Sequence, residues 1–203
     1  MKDTTVEKSL LEHMHIVQEI IQNVELMQEV NEIVEKIVES YKNGGQLFFC
    51  GNGGSAADAQ HLSTELVSRF YIERKALNAE ALTVNTSTIT AIANDYNYNR
   101  IFARQIEAKA KTGDVLIGIT TSGTSKNVIE AFKSAKERKV ITIAFTGMNT
   151  EIIKKYSDFV VAVPSVLTPR IQEMHILIGH IICESIEKKM FKEDSYDRKN
   201  CSK

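Results

Sequence analysis

Residues 46–66, Q-L-F-F-C-G-N-G-G-S-A-A-D-A-Q-H-L-S-T-E-L, join a short apolar run to a glycine-rich loop and then to a helical pattern. The first six residues predict a buried strand, and we expect a helix from Ser55 to Tyr71. The same alternation continues along the chain, with strands expected at 81–84, 114–120, 140–145 and 159–163, and helices at 88–93, 100–111, 126–138, 151–156 and 170–191. Five short apolar strands separated by helices are typical of an α/β fold whose parallel sheet is buried on both faces.

The residues before the first strand carry a different pattern. From Val6 to Tyr41, apolar residues recur every three or four positions, which predicts one long helix or two in succession, ending at Asn43-Gly44-Gly45. This apolar stripe is longer than one small domain usually covers, so we expect it to pack both on the domain and on another subunit. The chain thus divides into an N-terminal helical oligomerisation segment at 1–45, an α/β domain at 46–192 and a polar tail at 193–203.

The composition excludes several classes of protein. The 203 residues are 43% hydrophobic and 25% charged, as in ordinary globular proteins, and the net charge of -1 predicts neither a nucleic-acid nor a membrane partner. The apolar runs are too short to cross a bilayer, and the charged N-terminus lacks a signal-peptide pattern. The three cysteines show no C-x-x-C spacing, so we expect a reduced, cytoplasmic protein.

Two loops that follow predicted strands could hold a phosphate. Gly51 to Ser55 would bring backbone N–H groups close to an anion at the start of a helix, and Thr120 to Ser125 places five hydroxyls around one glycine. Neither loop has the lysine of a nucleotide-binding P-loop, and no G-x-G-x-x-G occurs, so no nucleotide cofactor is expected. Alternatively the hydroxyl residues are only helix caps and turn formers. The presence of two such loops at strand ends favours a phosphorylated small molecule.

His61 and Glu65 are four residues apart on the helix that follows the first loop. This spacing places an imidazole and a carboxylate on one helix face, where they could bind a divalent metal or transfer protons. The alternative is a surface pair of little energetic consequence.

The last predicted helix adds Gln172, His175 and His180. His180 stands among apolar residues at 177, 178, 181 and 182, where a polar ring without a partner is costly. It is either a core histidine with a satisfied hydrogen bond, or a metal ligand or proton carrier. The sequence alone leaves both open.

The segments Gly51 to Glu65, Asn94-Asp95, Thr120 to Ser125 and Arg170 to His180 together closely resemble those of the phosphoheptose isomerases, which have the sugar isomerase (SIS) fold. The resemblance covers nearly the whole chain. It implies a flavodoxin-like, three-layer αβα sandwich with a five-stranded parallel sheet, in which residues 46–192 are the SIS domain. It also implies a homotetramer with active sites at subunit contacts.

The resemblance further implies an aldose–ketose isomerisation of sedoheptulose 7-phosphate to D-glycero-D-manno-heptose 7-phosphate, through an enediol and with one zinc ion per subunit. Members act early in the synthesis of the heptose of bacterial lipopolysaccharide or capsule. Carried over by motif, Glu65 and His180 are the acid–base pair. The implied zinc-site residues are His61, Glu65, Gln172 and His180. The implied substrate-binding residues are Asn52, Gly53, Gly54, Ser55, Asn94, Asp95, Thr120, Thr121, Ser122, Ser125 and Gln172.

Two features of this implied site need explanation. A carboxylate cannot easily be both a tight metal ligand and a free base, which favours a structural over a catalytic metal, and the sequence leaves both open. Gln172 and His180 are about 12 Å apart along an ideal helix and point about 80° apart. Either the helix bends, or the two come from different chains, or one is not a ligand. Pro169 also departs from members that have an acidic residue there.

Two other functions compete with the isomerase. Relatives that bind the replication initiator DnaA share the glycine loop, the Asn-Asp pair and R-I-Q-E-M-H, but that branch lacks an acid at position 65 and a histidine at position 180. This chain has both Glu65 and His180, which favours the isomerase. A sugar-phosphate sensor would usually carry a DNA-binding domain, and the sequence shows none.

Overall fold

The computed structural model describes residues 4–191, in which two N-terminal helices precede an α/β arrangement of five strands and five further helices. The helices are α1 Thr5–Gln22, α2 Val24–Lys42, α3 Gly54–Val67, α4 Thr86–Asp95, α5 Ala103–Lys109, α6 Lys126–Glu137 and α7 Thr168–Met190. The strands are β1 Leu47–Gly51, β2 Ala79–Ala81, β3 Val115–Thr120, β4 Ile141–Thr146 and β5 Phe159–Ala162. Single 3₁₀ turns lie at Tyr98–Arg100 and Ile153–Lys155.

All five strands are parallel and form one sheet in the order β2-β1-β3-β4-β5. This is the flavodoxin-like order, and it confirms the predicted fold class. Every residue of β1 and β3 is buried, as expected of strands covered on both faces. The order reverses between β1 and β3, and ligands of such sheets bind beyond the carboxyl ends of the strands at that point. The two predicted phosphate loops follow these two strands.

Helices cover both faces of the sheet and create two hydrophobic cores. On one face, α2, α3 and α7 pack on alternating side chains such as Phe49, Ile117 and Phe145. On the other face, α5 and α6 pack on the intervening side chains, such as Phe48 and Leu116. The result is the three-layer αβα sandwich that the resemblance implied.

The N-terminal segment forms two helices rather than one. Asn23 separates them, because its backbone N–H closes α1 on Glu19 and its side-chain oxygen caps α2 by accepting from Leu26 N at 2.9 Å. The apolar stripe of α2 is buried in the same core as α3 and α7. The first half of α1 differs, since the apolar side chains of Val6, Leu10, Leu11 and Met14 are each at least half exposed.

Several predicted boundaries were wrong. The helix expected to reach Tyr71 ends at Val67, because the guanidinium of Arg74 and the backbone N–H of Leu77 occupy the carbonyls of its last turn. The second strand is Ala79–Ala81 rather than 81–84, and 151–156 contains only a 3₁₀ turn. The helix expected at 100–111 is limited to Ala103–Lys109. The predicted polar tail and Cys201 lie outside the described residues, and none of the helices at 4–191 is long and apolar enough to cross a membrane.

Candidate active site

Three side chains from two helices, α3 and α7, meet in one cluster. His61 and Glu65 lie one turn apart on α3, and the His61 Nε2 is 3.2 Å from the Glu65 Oε1. His180, on α7, places its Nε2 2.9 Å from that of His61. The potential ligand atoms of all three residues lie within 4.8 Å of one another. The spacing of four residues therefore places His61 beside Glu65 on α3, and α7 adds the imidazole of His180.

This meeting depends on a close contact between α3 and α7. A Cβ atom on Gly179 would lie 2.6 Å from both Cδ atoms of Leu62. Only a residue without a side chain lets the two helices approach this closely. Leu62 follows His61 and Gly179 precedes His180, so the contact places the two imidazoles side by side.

His180 is not the core histidine that one reading of the sequence allowed. It is only partly buried, whereas His175 is fully buried and its Nε2 lies 3.2 Å from the carbonyl oxygen of Thr146. Burial lowers the pKa of His175 to about 4. Burial and, to a smaller extent, the neighbouring His61 also lower the pKa of His180, while Glu65 opposes the shift. Neutral imidazoles of this kind can accept a proton or bind a metal.

The first predicted phosphate loop has the conformation that its glycines permit. Gly53 has a φ of +57°, which L-residues with side chains rarely adopt, and it begins α3 without a side-chain cap. A Cβ on Gly54 would lie 2.5 Å from the amide nitrogen of Gln172. Gln172 therefore packs on the first turn of α3, whereas His61 lies about two turns further along.

The second loop gathers its hydroxyls at the start of α6. The Thr120 Oγ1 lies 2.8 Å from the Ser125 Oγ and 3.4 Å from the Ser122 Oγ. Ser122 also accepts hydrogen bonds from the backbone N–H and hydroxyl of Thr124. Ser125 begins α6 without a side-chain cap, and the N–H of Val128 in the first turn donates to the Asn127 side chain and the Ser125 carbonyl instead. The loop combines neutral donors with a helix N-terminus.

Comparison with known proteins relates this arrangement to a family. The SIS domain family profile matches residues 12–147. A phosphoheptose isomerase of Clostridium acetobutylicum is 52% identical over 176 residues, which cover 87% of this chain and 90% of that protein. One from Sulfurimonas denitrificans is 45% identical over 186 residues, covering 92% and 95%. The solved structure of phosphoheptose isomerase GmhA from Neisseria gonorrhoeae matches with a TM-score of 0.84 at 40% identity, covering 90% of this chain and 96% of that one.

The chain belongs to the phosphoheptose isomerase family. It is therefore an enzyme of the sugar-phosphate isomerase class with a SIS fold.

The donor set of the His61–Glu65–His180 cluster fits a zinc ion. Two imidazole nitrogens and a carboxylate oxygen are typical zinc ligands. Two ligands of a tetrahedral zinc lie about 3.3 Å apart when the bonds are 2.0–2.1 Å long, and the separations of 2.9 and 3.2 Å are close to this. The amide of Gln172, which the family resemblance also implied as a ligand, lies against Gly54 at the first turn of α3.

The two loops are bridged by Asn127, a residue that the sequence analysis missed. The side-chain amides of Asn52 and Asn127 donate to each other's oxygens at 2.9 and 2.7 Å, and the Tyr98 hydroxyl donates to the same Asn52 oxygen at 3.0 Å. Asn127 is buried and directly follows the hydroxyl loop. The feature that marks Asn127 is its burial next to the hydroxyl loop, and burial cannot be read from the sequence alone.

Asn94 and Asp95 lie at the C-terminal end of α4 and hydrogen-bond to each other. They are exposed at the end of α4, where the Asn94 amide donates to Asp95 at 3.0 Å. Within residues 4–191, no hydrogen bond joins them to another predicted site residue. Within one chain, His61, Glu65 and His180 form one group, and the two loops are joined through Asn52 and Asn127.

Proposed function

We propose that this protein interconverts sedoheptulose 7-phosphate and D-glycero-D-manno-heptose 7-phosphate. The observation that carries the proposal is the meeting of Glu65 and His61, on the helix that begins at the glycine loop, with His180 of α7. A carboxylate and an imidazole are groups that can carry out the proton transfers of an aldose–ketose isomerisation. The names of the relatives supply the identity of the sugar phosphate.

Glu65 would move the carbon-bound proton. Its carboxylate takes the proton from C1 of the open-chain ketose, which leaves an enediol across C1 and C2. The same carboxyl group, whose proton can exchange with water, then protonates C2, while His180 transfers a proton between the two oxygens. Since C2 gains one proton for the one lost from C1, the reaction needs no external oxidant or reductant.

His61, Glu65 and His180 would hold the zinc ion. When bound, zinc supplies Lewis acidity toward the sugar oxygens and adds an electrostatic attraction for negative charge on the enediol. Gln172 could join these ligands only from another subunit or after a change in α7, since its amide lies at Gly54. In its present place Gln172 suits contact with the sugar beside the glycine loop.

The two loops would hold the rest of the substrate. The hydroxyls of Thr120, Ser122 and Ser125, with Thr121, would bind the phosphate at the start of α6. Asn52, Gly53, Gly54 and Ser55 would face the sugar from the neighbouring strand end, because Gly51 of β1 pairs with Ile119 of β3. The phosphate and the carbonyl would thus be fixed by different elements.

We also propose a homotetramer with active sites at subunit contacts. Its support is the exposed apolar face of α1 and the exposed pair Asn94 and Asp95, which a second subunit could bring to the site. The buried free thiols of Cys50 and Cys183 suit a reducing cytoplasm. The product heptose would supply bacterial lipopolysaccharide or capsule synthesis.

Incubation of the purified protein with sedoheptulose 7-phosphate, followed by NMR detection of the aldose, tests the proposal. We expect conversion in both directions, and no conversion when the 7-phosphate is absent from the sugar. A protein that binds DnaA and leaves sedoheptulose 7-phosphate unchanged would instead be the non-catalytic regulator.

A further inference from the structure

A buried ion pair lies beside the candidate active site without belonging to it. Arg74 and Glu187 are joined by an Nε–Oε1 hydrogen bond of 2.9 Å, and their side chains are only 2% and 1% exposed. Charged side chains are rarely this buried, and a well-packed apolar pair often gives equal or greater stability. The backbone groups that the pair contacts indicate a role other than stability.

Arg74 holds the end of α3. Its Nη1 donates to the carbonyl oxygens of Leu66 and Ser68, both at 2.7 Å, and its Nη2 donates to that of Glu65 at 2.8 Å. These carbonyls have no partner within the helix, and the flat guanidinium satisfies them together. The backbone of Glu65 is thus fixed directly by Arg74.

Glu187 fixes the same segment from α7. Its two carboxylate oxygens accept from the backbone N–H groups of Phe70 and Tyr71 at 3.3 and 2.9 Å, in addition to Arg74. Glu187 follows His180 by seven residues, which is about two helical turns and returns to the same side of α7. The ring of Phe70 stacks on the ring of His180, with centroids 5.6 Å apart and planes inclined by 24°.

We propose that Arg74 and Glu187 are positioning residues that set Glu65 and His180 relative to each other. Arg74 fixes the backbone of Glu65, Glu187 extends from the helix that carries His180, and the Phe70 ring held between them rests on the His180 imidazole. Neither charged group touches the reacting atoms. The inference rests on the proposed function, which gives Glu65 and His180 their roles.

The variants Arg74→Lys and Glu187→Gln test this. A lysine keeps the charge but cannot reach Glu187 and three carbonyls at once, and a glutamine places an N–H donor where Glu187 accepts. Asp114→Asn is the matched control: Asp114 is also buried and accepts from two backbone N–H groups, Gln46 N and Lys111 N, but neither of these belongs to α3 or α7. All three should lower the melting temperature.

Only the first two variants should change the site. We expect kcat for sedoheptulose 7-phosphate to fall by about 10- to 100-fold with an unchanged KM, because the loops that bind the phosphate are untouched. The ¹H NMR signals of the His180 ring, assigned by their loss in His180→Gln, should lose the ring-current shift from Phe70. In Asp114→Asn, kcat and these signals should match the wild type.

Two results separate this inference from the proposed function. Wild-type kcat and unmoved His180 signals in both Arg74→Lys and Glu187→Gln would overturn the positioning role. A wild-type protein that is inactive on sedoheptulose 7-phosphate would overturn the proposed function, and displaced His180 signals in both variants would still support the positioning role.

Discussion

Replacing Gly179 with alanine tests whether the contact between α3 and α7 sets the geometry of the active site. The added methyl group would lie 2.6 Å from both Cδ atoms of Leu62. Ordinary carbon–carbon contacts are about 3.5–4.0 Å, so the helices must separate by roughly 1 Å. A displacement of this size at reacting groups can cost about 100-fold in rate. We therefore expect kcat to fall by about two orders of magnitude, because His180 moves away from His61 and Glu65.

The fold should survive this substitution. Overpacking costs about 1–3 kcal/mol, whereas alanine is better than glycine inside a helix by about 1 kcal/mol, so the net loss of stability is small. Thermal melting and steady-state kinetics with sedoheptulose 7-phosphate would be measured together. KM should stay near the wild-type value because the phosphate loops are distant.

The double variant Leu62→Ala/Gly179→Ala supplies the control. It removes the two Cδ atoms that the new methyl group would meet, so kcat should recover although the core loses packing. Wild-type kcat in Gly179→Ala, or a double variant no better than the single one, would refute the reasoning, since the helix spacing would then not control the site.

Three further predictions concern the phosphate loop, the buried histidine and the metal. Ser125→Ala should raise KM about tenfold and leave kcat nearly unchanged, because it removes one hydrogen bond to a charged phosphate. Steady-state kinetics would measure both constants, and an unchanged KM would exclude the contact. The pKa of His175 is about 4 in the folded protein and about 6.5 in the unfolded chain, so protonation favours unfolding. The contribution of His175 to the free energy of unfolding is therefore fully present above pH 6.5. It falls by up to about 3 kcal/mol as the pH drops toward 4. Urea midpoints of His175→Gln should depend less on pH over this range, and an equal slope in both proteins would contradict the assignment. In the wild type, a chelator should lower the melting temperature and added zinc should restore it. The melting temperature of His61→Ala should respond to neither treatment. The same response in both proteins would place the metal elsewhere.

Most of the fold could be predicted from the sequence because each strand is a short apolar run. The residues of β1 and β3 are buried on both faces of the sheet. Such strands are continuously apolar, whereas a strand with one exposed face alternates apolar and polar residues. The strand order followed from the family resemblance, since hydrophobic periodicity identifies elements but not their neighbours. The end of α3 was missed because it depends on Arg74, a residue beyond the helix itself.

The candidate site could be predicted only where its residues are close together in the sequence. The pairing of His61 with Glu65 follows from helical geometry, and the structure places them 3.2 Å apart. The addition of His180 depends on the packing of α7 against α3, which the residues alone do not specify. Arg74 and Glu187 are 113 residues apart, and both stand in charged stretches that resemble solvent-exposed surface. Their burial arises only from the tertiary structure.

The most direct measurement is hydrogen exchange at C1 of sedoheptulose 7-phosphate in D₂O, followed by ¹H NMR for the wild type, Glu65→Gln and His180→Gln. We expect the wild type to exchange the C1 proton as it forms the aldose. Glu65→Gln should lose both exchange and conversion by about 10²- to 10⁴-fold while keeping its fold, and His180→Gln should lose conversion. Wild-type exchange and conversion by a folded Glu65→Gln variant would contradict the assignment of Glu65 as the base.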